Sequence, residues 1–129
     1  MTSVVDASSV VAYLLGEGSE AERAAMLGDV HAPQFLDVEA TQALRGLLRG
    51  SKIDLATAER GRVELGELGL RRHPDGRLLR RAWELRDTCT TYDALYVALA
   101  EALDAMLLTR DERLARAAQR FVDVSIADV

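Results

Sequence analysis

Four acidic residues stand where an apolar run gives way to a helical pattern. Asp6 follows Val4 and Val5, Glu39 follows the short run that ends at Pro33, Asp93 opens "YDALYVALA", and Asp111 lies two residues beyond "LLT". If these carboxylates converge they require a cation, because two like charges about 4 Å apart repel by roughly 4 kcal/mol at an effective dielectric near 20. The sequence offers no obvious base to neutralise them. Lys52 is the only lysine, and His31 and His73 lie far apart and lack the i, i+4 spacing of zinc sites, so both read as structural or surface residues. All-oxygen ligation by Asp and Glu suits hard ions such as Mg²⁺ or Mn²⁺, and an ion so held activates water and stabilises charge on phosphoryl oxygens. Each acid also has a local role open to it. Asp6 and Asp111 can cap the helices that follow, Glu39 suits a helix dipole, and Asp93 completes a capping-box pattern with Thr90. The argument for a common site is positional: all four sit at strand-to-helix junctions, which a parallel sheet gathers on one rim.

The elements that must position them are legible as short β-rich runs alternating with helical periodicity. Ser3 to Asp6 reads as a strand and Ser8 to Leu15 as a helix. Ser19 and Glu22 form a capping-box pattern for a second helix through Met26 and Leu27. A strand around Val30 to Ala32 ends at Pro33, followed by the helix "FLDVEATQALRGLLRG", with Val38, Leu44, Leu47 and Leu48 at near-helical spacing and Glu39 in its first turn. "DLATAERGRVELGELG" repeats the pattern with Leu55, Ala58, Leu65 and Leu68 on one face, although Gly61 and Gly66 weaken it. "LRRHP" is a brief edge strand, "DGRLLRRAWELRD" a helix, and "TTYDALYVALAEALDA" the strongest helix of the chain. "AMLLT" is a buried strand, "DERLARAAQR" a short helix, and "FVDVSI" a last strand. Strands separated by helices imply an α/β fold, a central parallel sheet flanked by helices.

Composition agrees with that architecture and narrows the function. The 129 residues, 49% of them hydrophobic and without a long Pro, Gly or Ser tract, fit one domain spanning 1–129. No apolar stretch is long enough to span a bilayer and no basic leader precedes one, so the expected location is cytoplasmic, with no membrane partner. The lone Cys89 cannot form an internal disulfide and reads as a small apolar residue. A formal charge of −5 argues against general polyanion binding. Arg71, Arg72, Arg77, Arg80, Arg81 and Arg86 nevertheless fall close together, either as a solvated helix face or as contacts to phosphate or an acidic partner.

Taken in order, "VVDASSVVAYLL", Glu39 opening a helix, "YDALYVALA" and "LLTRDERLARAA" resemble the PIN-domain ribonucleases, particularly the VapC toxins of bacterial toxin–antitoxin pairs. The resemblance covers nearly the whole chain. It implies a PIN-like three-layer sandwich and a metal-dependent endoribonuclease that hydrolyses RNA phosphodiester bonds, with Mg²⁺ as cofactor and Mn²⁺ as substitute. Carried over by position, Asp6, Glu39, Asp93 and Asp111 match the acidic site. Asp6 and Asp93 become the direct metal ligands, while Glu39 and Asp111 complete the shell or orient water. Ser8 and Thr109 match supporting hydroxyl positions that hold a carboxylate or a water, or else cap locally. The resemblance also implies an RNA substrate, a VapB-like antitoxin whose C-terminal segment covers the acids, and a homodimer. Apolar positions on "VVAYLLGEG" and "DLATAERGRVELGELG" permit a dimer face or partner groove, although core packing explains most of them.

Other small α/β folds fit less well. A phosphate-accepting receiver domain needs a neighbouring acid pair and a late Lys. A haloacid-dehalogenase-like phosphatase needs a second Asp at position 8, which is Ser, and a Rossmann-type binder needs a Gly-rich turn where this chain has "DASS". The alternative of a different class is a catalytically silent PIN-like module acting through protein or RNA contacts, against which the retention of all four acids argues.

Overall fold

Strand β1 (Thr2–Val5) lies at the centre of a five-stranded sheet in the computed structural model, which describes residues 1–126. It pairs in parallel with β2 (Asp29–Pro33) on one side and with β4 (Met106–Thr109) on the other, so that Val4 stands opposite both His31 and Leu107. β3 (Arg71–His73) and β5 (Val124–Ile126) are the parallel edges, giving the order β3-β2-β1-β4-β5. The chain moves outward from β1 to β2 and β3, then returns to build β4 and β5 on the opposite side. The topological switch point therefore falls between β1 and β4, where parallel sheets place their ligand sites beyond the carboxyl ends of the strands. The expected domain span also includes residues 127–129, which lie outside the described residues.

Helices α1 (Ala7–Leu14), α2 (Glu20–Leu27), α3 (Phe35–Arg49) and α4 (Leu55–Glu67) connect the first three strands, with α1 packed on α2, α3 and α4. A 3₁₀ turn (Asp75–Leu78), α5 (Leu79–Glu84) and α6 (Thr91–Leu103) lead back, α6 lying against β1, β2 and β4, and α7 (Glu112–Ala118) packs on β4 and β5. Parallel crossovers are right-handed almost without exception, which places the outward and returning connections on opposite faces; the helices accordingly fall into two groups, α1 with α2, α3 and α4, and α6 with α5, and the fold is a three-layer sandwich. Among the described residues no helix is long and apolar enough to cross a membrane.

The central strands β1, β2 and β4 are buried on both faces, as in a covered parallel sheet, and helix burial follows the helical period with three informative departures. In α3 the face turned to the core is Leu36, Ala40 and Leu44, while Val38 is left exposed. In α4, Ala58 and Leu65 are buried but Leu55 is exposed, and Gly61 is explained by packing: a Cβ there would meet Leu44 Cδ2 at 3.3 Å. In α6 every residue from Asp93 to Ala100 is buried, because a helix enclosed by the sheet and α5 has little solvent face. Two further expectations are corrected. The helix expected over "DGRLLRRAWELRD" is a 3₁₀ turn followed by the six residues of α5. The last strand is only Val124–Ile126, since the amides of Phe121 and Val122 still bond Ala118. His31 and His73, distant in sequence, are brought together by the β2–β3 pairing: His31 Nδ1 and His73 Nε2 are 2.8 Å apart, and His31 Nε2 is 2.8 Å from the Asp29 carboxylate.

The loop after β4 is tied down by a buried ion pair. Glu22, only 1% exposed, receives Arg110 Nε at 2.8 Å and Arg110 Nη2 at 2.6 Å while closing the capping box with the Ser19 amide. Burial pulls the Glu22 carboxyl upward, but the hydrogen bonds from Arg110 and Ser19 outweigh it and leave it below its ordinary value. The pair's contribution is therefore present at neutral pH and fades as the pH falls below about 4. Arg110→Met, which strands a buried carboxylate, is expected to cost about 3 kcal/mol in urea unfolding at pH 7. The double variant Glu22→Leu/Arg110→Met should cost less than Arg110→Met alone; an equal or larger loss would mean that the two side chains act independently.

Candidate active site

Asp6 follows β1 as the N-cap of α1 and is buried at the switch point, where it is 4% exposed. Donors replace the water it has lost. Oδ1 accepts from Ser8 Oγ at 2.7 Å and from the Ser9 amide at 3.2 Å, and Oδ2 accepts from Thr109 Oγ1 at 2.6 Å. Both hydroxyls are themselves held by the turn after β4: the Arg110 amide donates to Ser8 Oγ at 3.0 Å and the Asp111 amide to Thr109 Oγ1 at 2.9 Å. Ser8 and Thr109 thus fasten the end of β1 to the end of β4. The Glu22–Arg110 pair holds that turn from behind.

The other three acids come from α3, α6 and α7. Glu39 lies in the second turn of α3, one turn later than expected, and is half-buried; its Oε1 accepts from Tyr96 Oη at 2.6 Å. Asp93 sits in the first turn of α6. Thr90 caps that turn through the Asp93 amide, but the Asp93 carboxylate completes no capping box and faces Arg113 at 3.2 Å instead. Asp111 caps α7 through the amides of Arg113 and Leu114 and lies 3.8 Å from the same guanidinium. Arg113 therefore faces two carboxylates at once.

The carboxyls of Asp6, Glu39 and Asp93 are all raised. Burial pushes Asp6 up to about 6, against its hydrogen bonds from Thr109, Ser8 and Ser9, and the charge of Glu39 adds to the rise. Glu39 is raised by burial and by the charges of Asp93 and Asp111, with Tyr96 opposing. Asp93 is raised by burial and by Asp111, with Arg113 opposing. Burial and the Glu39 charge raise the Tyr96 hydroxyl as well, so it stays a donor. Such a rim is short of positive charge, which distinguishes it from a set of independent helix caps.

Two side chains of this rim were missed in the sequence. Tyr96 lies three residues after Asp93, on the same side of α6, and Arg113 two after Asp111; both spacings were available as signals. The anticipated Arg cluster disperses. Arg72 pairs with Asp37, Arg81 with Glu101 and Glu84, and Arg86 lies over the Trp83 ring.

A match to the PIN domain model extends over residues 3–120, which include the four acids and both hydroxyls. The chain belongs to the PIN-domain family. Among curated relatives it is 43% identical over 118 residues to ribonuclease VapC1 of Mycobacterium tuberculosis, covering 88% of this chain and 89% of that one. It is 36% identical over 123 residues to ribonuclease VapC9 of the same organism, covering 95% and 96%. Among solved structures, PAE2754 from Pyrobaculum aerophilum superposes with a TM-score of 0.68 at 25% identity, covering 95% of this chain and 83% of that one.

The donor chemistry of this PIN rim fits a hard divalent cation: oxygens only, anionic, with three carboxyls raised by burial and by neighbouring carboxylates. Among the described residues no three carboxylates are gathered tightly enough to hold an ion as they stand, since Glu39 is turned to Tyr96 and Asp93 to Arg113.

Because the folded protein binds a proton at Asp6 more tightly than the unfolded chain does, the stability cost of its charge grows between about pH 4 and pH 6 and is fully present above that. In EDTA, Asp6→Asn is expected to be about 2 kcal/mol more stable than the parent at pH 8, with the difference shrinking toward pH 4. Urea unfolding at both pH values checks this; a variant less stable at pH 8 than at pH 4, relative to the parent, would contradict it.

Proposed function

We propose that this chain is a metal-dependent endoribonuclease that hydrolyses RNA phosphodiester bonds, the toxin component of a VapBC-type pair. The observation that carries the reading is the buried Asp6 carboxylate, oriented by Ser8, Ser9 and Thr109 at the switch point and electrostatically coupled to Glu39. Membership of the PIN-domain family and the likeness to relatives named as VapC ribonucleases support it.

In this reading Asp6 and Asp93 would hold the ion, Mg²⁺ or Mn²⁺ in its place, with Glu39 and Asp111 completing the acidic shell. When bound, such a cation supplies a Lewis acid that makes water a stronger nucleophile and offsets charge on phosphoryl oxygens. The chain's own residues do the positioning. Ser8 and Thr109 fix the Asp6 rotamer through both oxygens, Tyr96 fixes Glu39 so that its second oxygen is free to orient a water, and Arg113 limits the repulsion between Asp93 and Asp111. A VapB-like antitoxin and a homodimer belong to the same proposal. Leu55 and Val63, exposed on α4, support a face for a second chain, whereas Val10, Val11 and Leu14 of α1 are taken up by the core.

Purified free of any antitoxin, the protein is expected to cleave RNA in Mg²⁺ or Mn²⁺ but not in EDTA, with Asp6→Asn lowering the rate by about 10²–10³-fold. Mg²⁺ should raise the melting temperature of the parent and not of Asp6→Asn. Absence of both cleavage and a metal-induced thermal shift would favour the silent binding module. Tyr96→Phe, isosteric but unable to hold Glu39, should lower kcat about 10-fold with KM unchanged; an effect on KM alone would remove Tyr96 from this positioning role.

A further inference from the structure

Two unlike surfaces meet at the acidic rim. On one side, Phe35 and Tyr92 stack with ring centroids 5.2 Å apart and planes inclined by 24°, and Tyr92 remains 60% exposed. Together with Val38 and Gln42 they line a hollow of about 350 Å³ that is shared with Glu39 and Asp93. On the other side, an open groove of about 710 Å³ carries four exposed guanidiniums, those of Arg86, Arg113, Arg116 and Arg120, against the two carboxylates of Asp87 and Asp93. Arg113, Arg116 and Arg120 recur at intervals of three and four residues along α7 and its C-terminal extension, so they share one side of the helix. Among the described residues, Arg86, Arg116 and Arg120 have no carboxylate partner within 4.0 Å. Thr90, Asp93 and Arg113 line both hollows, which makes them continuous.

In a chain of net charge −5, such a groove is local positive charge next to a stacking platform. An exposed tyrosine braced by a second ring offers a flat apolar surface at low entropic cost, with a polar edge supplied by Gln42. A run of guanidiniums suits successive phosphates. We propose that the two surfaces form one single-strand binding track, in which an unpaired nucleobase stacks on Tyr92 and the phosphates of neighbouring nucleotides lie along Arg86, Arg116 and Arg120. This deepens the ribonuclease reading and rests on it for the choice of RNA as ligand. The geometry selects single strands, since a base already stacked in a duplex cannot also lie on Tyr92.

The test is metal-free binding, measured by fluorescence anisotropy in EDTA with a fluorescein-labelled mixed-sequence 12-nucleotide RNA, single-stranded or annealed to its complement. Tyr92→Ala is expected to weaken single-strand binding about 5- to 100-fold and duplex binding by less than twofold, while Tyr92→Phe stays within twofold of the parent. Arg116→Gln/Arg120→Gln should reduce the slope of log K against log salt by about 1.4 for the single strand, and Tyr92→Ala should leave that slope unchanged. Because all these side chains are exposed, melting temperatures within a few degrees of the parent verify folding. Equal losses for both RNAs in Tyr92→Ala, or an unchanged salt slope in the arginine double variant, would overturn the track. Unchanged RNA affinity accompanied by a shift from dimer to monomer in sedimentation would also overturn it and assign the surface to a second copy of the chain. The nuclease reading fails separately: expected binding without cleavage in Mg²⁺ removes the activity and keeps the track, whereas cleavage with an unaltered KM in the Tyr92→Ala and arginine variants keeps the activity and removes the track.

Discussion

A carboxylate withdrawn from water at a strand end gives up hydration worth several kcal/mol unless fixed donors take the water's place. Asp6 is withdrawn in this way, and its three donors come from two places far apart in sequence, the first turn of α1 and the end of β4. Those places are adjacent only because β1 and β4 are parallel neighbours in register, Val5 opposite Leu108. The sheet order, the helix that starts immediately after Asp6 and the turn that follows Thr109 are thus all tied to one side chain. The Glu22–Arg110 pair extends the tie outward: the guanidinium that fixes the turn reaches back to α2 and to the Glu17 carbonyl, so α1, α2 and the end of β4 brace one another.

A second level of constraint is the balance of charge at the rim. Among the described residues the cation paired with the rim is Arg113, which faces Asp93 and Asp111 but neither Asp6 nor Glu39, and whose own side chain is 63% exposed and so screened by water. Tyr96 supplies a neutral donor to Glu39 but no charge. Burial first, and neighbouring carboxylates after it, raise the carboxyls of Asp6, Glu39 and Asp93, an arrangement that a divalent ion would balance. Just outside the rim the balance reverses, with arginines spaced along α7 in a protein that is acidic as a whole. Net charge averages over this contrast and conceals it.

That concealment also explains what the sequence could and could not disclose. Alternation of apolar runs and helical periods was enough for the parallel sheet, for the brief edge strand at Arg71–His73 and for the location of Asp6 and Asp111 at strand-to-helix junctions, whereas Asp93 opens a helix that follows α5 and not a strand. Local chemistry was enough for the Ser19–Glu22 capping box, whose pattern is confined to four residues. Contacts that depend on which strands neighbour one another were out of reach. The His31–His73 contact needs the β2–β3 register, the Arg110–Glu22 pair spans 88 residues, and Tyr96 meets Glu39 across 57. Helix faces failed where two surfaces compete: Val38 has core spacing but lies on the side of α3 that forms the rim, and Leu55 opens α4 beyond the reach of the core.

The sequence left open the choice between a helix cap and a site residue at every acid, and the geometry at Asp6 is compatible with both. An ionised carboxylate has about four acceptor positions. The Ser9 amide fills the one that a cap requires, and the hydroxyls of Ser8 and Thr109 fill two more, one on each oxygen. One position is left, on the oxygen bound by Thr109. Capping α1 therefore orients the group and does not exhaust it. The same counting separates the others. Asp111 uses one oxygen twice as a cap and keeps the second near Arg113, whereas Asp93 and Glu39 make no cap with their carboxylates and, among the described residues, are restrained by Arg113 and Tyr96 respectively. The rim thus combines one carboxylate held rigidly by short hydrogen bonds with two that can turn by exchanging a single partner. That division leaves one carboxylate preorganised by its neighbours and the others adjustable around it.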